Sequence, residues 1–407
     1  MSQGVVLSEV REKITALDQQ LLTIFAQRRA LSLSVAQSKV DTVKNVRDTQ
    51  REEELLIDLI QRGHKLGLDA HYIANLFHVV IEDSVLNQQA WLQQRVNQQD
   101  DTPHSRVAFL GAKGSYSYLA SHRYFSRRVE NMIEVGCATF NQIIDTVESG
   151  RAEFGVLPIE NTSSGSINEV YDLLQHTSLS IVGELTQPVN HCLLTSSATS
   201  IDAIDTIYCH AQPHQQCSQY LLGLSNIKFE FCDSSAAAMK KVAQLDQPNV
   251  SAIGSLEGGA LYGLQSTSSN IANQQENHTR FIVVARKAID VAIQIPAKTT
   301  FIISTAQKSG ALVDALLVLK SNDINMTKLE SRPIQGNPWE EMFYIDVTAN
   351  LHSVNMQQAL KQLDDITTQI KVLGCYPSEH VIPTSLPQVL IDSNGTCNSD
   401  FIASSTH

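Results

Sequence analysis

The chain has 407 residues, 43% of them hydrophobic and 18% charged, and a formal net charge of −12. At roughly 150 residues per domain it accommodates two or three domains whose cores need no disulfide staples, and its acidic balance argues against a nucleic-acid binder, whose footprint is basic. The 7 cysteines include no CxxC pair, the N-terminus turns charged too early for a signal peptide, and no apolar run approaches the roughly 18 residues of a membrane helix, so the expectation is a cytoplasmic protein with no membrane partner.

Residues 5–62 contain no Gly and residues 1–102 no Pro. Leu7, Val10, Ile14, Leu17, Leu21, Ile24, Leu31 and Val35 step by three, four or seven, which is helical periodicity. The pattern predicts helices at about 7–40, 48–62 (ended by Gly63 and Gly67) and 69–97, with Asp69 as the N-cap of the third. The first would be about 50 Å long, too long to bury its stripe in a small monomer, so a helical dimer is expected. Residues 97–106 read as a linker. Short apolar strands then alternate with helices: RVAFLG at 106–111, FGVLPIE at 154–160, LSIVGEL at 179–185, TIYCH at 206–210, SAIGS at 251–255 and FIVVAR at 281–286. That alternation predicts an α/β domain. From 299 the order becomes β-α-β-β-α-β, the ferredoxin-like α+β unit. The Ser, Asn and Thr-rich tail at 385–407 reads as disordered.

Chemistry-bearing residues fall into three groups. Arg11, Arg28, Lys39, Arg47 and Arg51 lie in a stretch with eight Lys/Arg against five Asp/Glu. Arg28 and Lys39 share a helix face about 16 Å apart, close enough for both to reach a small dianion. Arg11, about 25 Å from Arg28 along the helix, could reach such a site only from an antiparallel partner. Ser84 with Gln88, and Asp48 with Glu52, are i, i+4 pairs. In the α/β domain, GAKGSYS (111–117) and PIENTSSGS (158–166) are turns after strands, the latter suited to an anion at a helix N-terminus, and HTRF (278–281) precedes a strand. In the last domain Gly310-Ala311-Leu312-Val313 opens a helix and Glu330-Ser331-Arg332-Pro333 ends a strand. Neither a P-loop nor GxGxxG occurs. His210 and His214 lack a third ligand, so neither a cofactor nor a metal is expected.

SEVREKITALDQQLL (8–22), Arg28, Lys39, VRDTQREEELL (46–56) and IEDSVLNQQ (81–89) resemble the all-helical chorismate mutase domain. GxxGSYS, PIENTSSG and TRF resemble the prephenate dehydratase domain, and GALV with ESRP resembles the regulatory ACT domain. In that order, over about 8–382, they resemble the bifunctional chorismate mutase–prephenate dehydratase family. The resemblance implies an all-α mutase dimer domain at 1–97, a two-lobed α/β dehydratase domain at 105–288 and an ACT domain at 299–377. It implies conversion of chorismate to prephenate and then to phenylpyruvate in phenylalanine biosynthesis, with phenylalanine as feedback inhibitor. Whether arogenate replaces prephenate stays open.

By the same resemblance, Arg28, Arg51 and the partner's Arg11 hold the chorismate carboxylates, Lys39 and Gln88 donate to the ether oxygen, and Asp48, Glu52 and Ser84 fix the hydroxyl and the surrounding cations. In the dehydratase, Thr279 polarises the leaving hydroxyl. Glu160 is a proton source if burial raises its pKa. Ser115, Asn161, Thr162, Ser163, Ser164 and Gln216 bind prephenate, and Arg280 pairs with a carboxylate or buttresses the cleft. GALV (310–313) and ESRP (330–333) line a phenylalanine site between paired subunits, with Trp339 nearby in sequence. Three departures stand out: Cys209 and Ala211, where the family stretch has a serine and a proline, and Ala112, where it usually has proline.

Overall fold

The computed structural model describes residues 7–39, 45–97, 104–129, 131–274, 276–306, 308–334, 341–378 and 384. Trp339 and the tail at 385–407 lie outside the described residues. The chain divides into two compact units: Met1–Arg95 with Ala292–Ile295 and Val381–His407, and Val96–Val291 with Pro296–His380. No described helix is long and apolar enough to cross a membrane.

The first unit holds α1 (Leu7–Lys39), α2 (Thr49–Lys65) and α3 (Ala70–Val96). The absence of Gly and Pro lets α1 run for 33 residues. α2 continues past the expected stop at 62 because Gly63 is helical and makes room for a neighbour: a Cβ there would lie 2.0 Å from Ile73 Cδ1. The chain turns at Gly67, whose φ of +78° disfavours any side chain. Asp69 accepts the Tyr72 amide at 3.0 Å and starts α3 as expected. The stripe of α1 finds no core within its own chain. Leu7, Ile14, Leu17, Leu21, Ile24, Leu31 and Val35 are all exposed, and on α1 only Ser32 and Ala36 are buried.

The second unit begins with β1 (His104–Leu110), α4 (Tyr116–Phe125), β2 (Asn131–Cys137), α5 (Phe140–Glu148), β3 (Phe154–Asn161), β4 (Gly165–Ser166), α6 (Asn168–His176) and β5 (Ser180–Pro188). A second lobe follows: β6 (Cys192–Thr195), β7 (Thr206–Cys209), α7 (Ala211–Gln216), α8 (Ser218–Leu222), β8 (Lys228–Phe231), α9 (Ser235–Leu245), β9 (Val250–Gly254), α10 (Leu256–Leu261) and β10 (Gln265–Ser268). The chain then returns to the first lobe as β11 (His278–Ala285). The first-lobe sheet runs β2-β1-β3-β11-β5 with β4 on β3, and the second-lobe sheet runs β10-β6-β9-β7-β8. β11 lies antiparallel between β3 and β5, setting Thr279 opposite Asn161 and Arg280 opposite Glu160.

The third part is β12 (Ala297–Thr305), α11 (Ala311–Ser321), β13 (Met326–Pro333), β14 (Glu341–Val347), α12 (Val354–Ile366) and β15 (Thr367–Pro377), in the expected order. Its antiparallel sheet runs β13-β14-β12-β15. One face packs on α11 and α12 through Phe301, Ile303, Ala315, Leu319, Ile345 and Met356. The other face shares a core with the first lobe, where Ile302, Tyr344, Leu373 and Tyr376 join Leu157, Tyr171 and Ile181. The ferredoxin-like part therefore belongs to the same compact unit as the two lobes.

Candidate functional site

In the helical unit, α1 presents Arg28 to α3. Its guanidinium donates to Ser84 Oγ and, at 3.1 Å, to Val80 O. Burial lowers its pKa, opposed by the nearby Asp83. Lys39 Nζ donates to Val46 O at 2.6 Å and Asn45 O at 3.0 Å. Gln88 is buried, and its amide oxygen has no partner among the described residues. Arg28 and Ser84 thus meet on the α1/α3 seam, with the buried Gln88 one turn further along α3. Asp48 acts as the N-cap of α2, accepting the Arg51 amide at 3.1 Å. Glu52 is held by Arg47 at 3.0 Å and accepts the Thr384 hydroxyl at 2.7 Å. Arg51 and Arg11 are exposed, Arg51 against Glu54 at 3.7 Å. The Arg47–Glu52 pair and Thr384 were not foreseen, and no sequence motif marks Thr384.

In the two-lobed region, Asn161 is the organiser. Its Nδ2 donates to Thr279 Oγ1 (2.9 Å), Asn277 Oδ1 (2.7 Å) and His278 O (3.1 Å). Its Oδ1 accepts the Ser163 and Ser164 amides, each at 3.0 Å, and the Ser164 hydroxyl. All of its polar capacity is spent inside the protein, so it shapes the turn rather than binding a substrate itself. Because Asn161 donates to Thr279 Oγ1, the threonine keeps its own proton, which meets no acceptor among the described residues. Thr162 accepts the His278 amide at 2.9 Å, and Gln212 reaches from the second lobe to Ser164 Oγ at 3.3 Å. Ser163 is exposed.

Two expectations for this region need correction, those for Ser115 and Glu160, and of the two alternatives for Arg280 the contacts favour one. Ser115 is the N-cap of α4: its hydroxyl accepts the Tyr118 amide at 3.1 Å and donates to Leu110 O at 3.0 Å, leaving it no proton to donate to an anionic ligand. Glu160 is not a poised acid. Burial pushes its carboxyl up, but Lys328 at 2.8 Å and Arg280 at 3.2 Å outweigh that and hold it below the usual range. Arg280 buttresses rather than binds, being gripped by Asp346 (2.6 Å), Glu184 (2.8 Å) and the Tyr376 hydroxyl (3.1 Å). The physical reason is strand alternation: residues adjacent on β3 and β11 face opposite sides, so Asn161 and Thr279 share one side and Glu160 and Arg280 the other.

Two of the three departures, Cys209 and Ala211, are accommodated by the fold. Cys209 is fully buried in the second-lobe core, with its thiol pushed up to about 11 by burial. Ala211 is the first residue of α7, after His210 at the N-cap, where alanine is as helical as the expected proline. Among the described residues no group of three His, Cys, Asp or Glu side chains is placed to hold a metal.

In the C-terminal part, Gly310 caps α11 at a φ of +83° with no side-chain cap. Ala311 is buried and Val313 exposed. Glu330 and Arg332 do not share a face with this helix. They alternate with Lys328 on the opposite side of β13, where Glu330 accepts Ser166 Oγ at 2.6 Å and Arg332 forms two bonds to Asp172 at 2.8 and 2.9 Å. Leu329 packs toward α11 and α12, so of the four-residue motif Ser331 and Pro333 lie on the helix side of the strand.

Residues 10–89 match the family model for chorismate mutase type II, and residues 107–289 the model for prephenate dehydratase. A relative from Enterobacter agglomerans, named bifunctional chorismate mutase/prephenate dehydratase, is 58% identical over 380 residues, covering 93% of this chain and 97% of its own. A solved structure described as GqqA, a novel type of quorum quenching acylase, is 29% identical with a TM-score of 0.60, covering 67% of this chain and 98% of its own. The structure of prephenate dehydratase from Arthrobacter aurescens in complex with L-Phe, 24% identical, shares the fold with a TM-score of 0.61 over 70% of this chain and 94% of its own.

Proposed function

The chain belongs to the bifunctional chorismate mutase/prephenate dehydratase family, and from that premise we propose how its residues divide the two reactions. The mutase step is a pericyclic rearrangement that needs a compact conformer and electrostatic stabilisation rather than acid or base. Arg28, fixed by Ser84 and Val80 O, takes a carboxylate of chorismate, with Arg51 and the partner subunit's Arg11 as further cations. Gln88 and Lys39 stabilise the ether oxygen as the C–O bond breaks. The exposed stripe of α1 supports a homodimer, because burying its seven exposed side chains at roughly 1.5–3 kcal/mol each would contribute on the order of 10–20 kcal/mol.

In the dehydratase step the bond to the ring carboxylate breaks, CO2 departs, and the electron pair aromatises the ring as the 4-hydroxyl leaves. Thr279 donates its hydroxyl proton as a hydrogen bond to that leaving oxygen. The observation that carries this reading is the Asn161–Thr279 bond at 2.9 Å, in which the threonine oxygen accepts and so keeps its proton to donate. Gln216, Thr162 and Ser163 contribute donors around the substrate, and Ser164, whose amide and hydroxyl both donate to Asn161, holds the turn beside it. We further propose that residues 299–377 are an ACT domain. There the N-terminus of α11, with Ser331 and Pro333, binds phenylalanine between subunits, and the protein works in the cytoplasm without a cofactor.

The test gives purified chain chorismate alone. Phenylpyruvate is the expected product. Arg28→Ala should abolish mutase and spare dehydratase, and Thr279→Ala should do the reverse. Loss of both activities from either change in a folded protein would overturn the division.

A further inference from the structure

His191 lies in the coil between β5 and β6, where the chain first passes from one lobe to the other, and it is 1% exposed. Its Nδ1 is 3.2 Å from the Tyr116 hydroxyl and its Nε2 is 2.8 Å from Gln216 Oε1. The Tyr116 ring meets the imidazole edge-on, with centroids 5.8 Å apart. The backbone on either side is tied down: Asn190 O accepts the Tyr116 hydroxyl at 3.0 Å, and His191 O accepts the Ile271 amide at 3.0 Å from the returning passage. Tyr116 follows Ser115 in the first-lobe turn, and Gln216 ends α7 in the second lobe. One buried ring therefore bridges both lobes.

Its protonation pattern follows from its neighbours. Burial lowers the His191 pKa, opposed by the Gln216 bond, and keeps the ring neutral near pH 7. A neutral imidazole has one donor and one acceptor. With the amide oxygen of Gln216 facing Nε2, that nitrogen carries the proton, and Nδ1 shares the single proton of the Tyr116 hydroxyl with Asn190 O in a bifurcated bond. The oxygen of Gln216 is thereby consumed, and the group it presents elsewhere is its NH2. Such a donor suits a carboxylate or a keto oxygen, whereas the flipped amide would turn an acceptor toward an anion.

We propose that His191 is a positioning residue of the dehydratase: it locks Gln216 with its NH2 toward an anionic oxygen of prephenate. The proposal rests on the reading of Gln216 as a substrate ligand.

The experiment makes His191→Gln, His191→Asn and His191→Leu in the full chain, with the mutase rate of the same preparation reporting folding. Gln places an amide nitrogen near the Nε2 position, Asn reaches only the Nδ1 position, and Leu supplies neither. Losing a buried hydrogen bond that orients a ligand group should lower kcat/KM for prephenate about 10- to 100-fold in the Leu and Asn variants. The loss should sit mainly in KM, with Gln recovering most of it and the mutase unchanged. A Gln variant as poor as Leu, or a fall in kcat and mutase together with KM unmoved, would overturn the proposal. Gln216→Leu separates the two readings. If it leaves KM unchanged, the Gln216 assignment fails. If it raises KM but its effect adds fully to that of His191→Leu, the coupling alone fails.

Discussion

Glu160 and Asn161 are neighbours in sequence but act on opposite sides of one sheet. The same holds for Thr279 and Arg280, which pair with them across β3 and β11. A motif read as a string groups all four into one site, whereas a period of two divides them. Thr279 stays with Asn161, and Glu160 joins Lys328 and Arg280 in an ionised cluster. The pH dependence follows with a definite sign. The Glu160 carboxyl lies below its ordinary value in the folded chain, so its contribution to stability is fully present above the unfolded value of about 4.3. That contribution is lost as pH falls through the folded one. Glu160→Gln should therefore unfold more readily than the parent at pH 7, with the gap narrowing as melts are taken toward pH 4. The pH profile of prephenate turnover should match the parent's wherever the variant is folded. Turnover abolished at every pH in a folded Glu160→Gln chain would return Glu160 to the role of proton source.

At the scale of an element, β13 is the informative strand. Its sequence MTKLESRP is marked by its polar residues rather than its apolar ones, because it is an edge strand whose one side meets polar partners of the first lobe while Thr327, Ser331 and Pro333 on the other are exposed. Lys328, Glu330 and Arg332 are tied to Glu160, Ser166 and Asp172, while Leu329 joins the helix-side core. The sequence motif was legible, but which of its side chains face the helix was not, because that depends on the partner sheet. Strands with a continuous apolar run, such as FGVLPIE and FIVVAR, were equally legible. β2 and β8 were missed because they are largely exposed edge strands with polar residues. The two-bond Arg332–Asp172 pair links the ferredoxin-like sheet, proposed to be regulatory, to α6, which follows the turn holding Asn161. Asp172→Asn should therefore weaken feedback. The phenylalanine concentration giving half inhibition should rise several-fold or more, within the 5- to 150-fold span of ordinary allosteric coupling, with uninhibited turnover of prephenate retained. Equilibrium dialysis should show phenylalanine binding to the chain changed much less than inhibition. An unaltered inhibition curve would remove this pair from the coupling.

For the whole molecule, composition and periodicity disclosed the helical segment and its unburied stripe. They did not disclose that the ferredoxin-like part shares a core with the first lobe, because tertiary burial of Tyr344 and Tyr376 leaves no periodic signature. Each compact unit contains one of the two proposed sites, with Arg28, Ser84 and Gln88 in one and Asn161, Thr279 and Gln216 in the other. In the proposed division, neither reaction uses a side chain from the other unit. The product of the first reaction, a dianion built for water, can diffuse from one protein to another. An equimolar mixture of the Arg28→Ala and Thr279→Ala chains should therefore convert chorismate to phenylpyruvate, although neither does so alone. Prephenate should accumulate first and then decline, and the second phase should quicken as more Arg28→Ala protein is added. A mixture that stalls at prephenate, while the Arg28→Ala chain still turns over prephenate supplied directly, would show that the intermediate is handed on within one molecule. Two independent units would then be the wrong description of the enzyme at work.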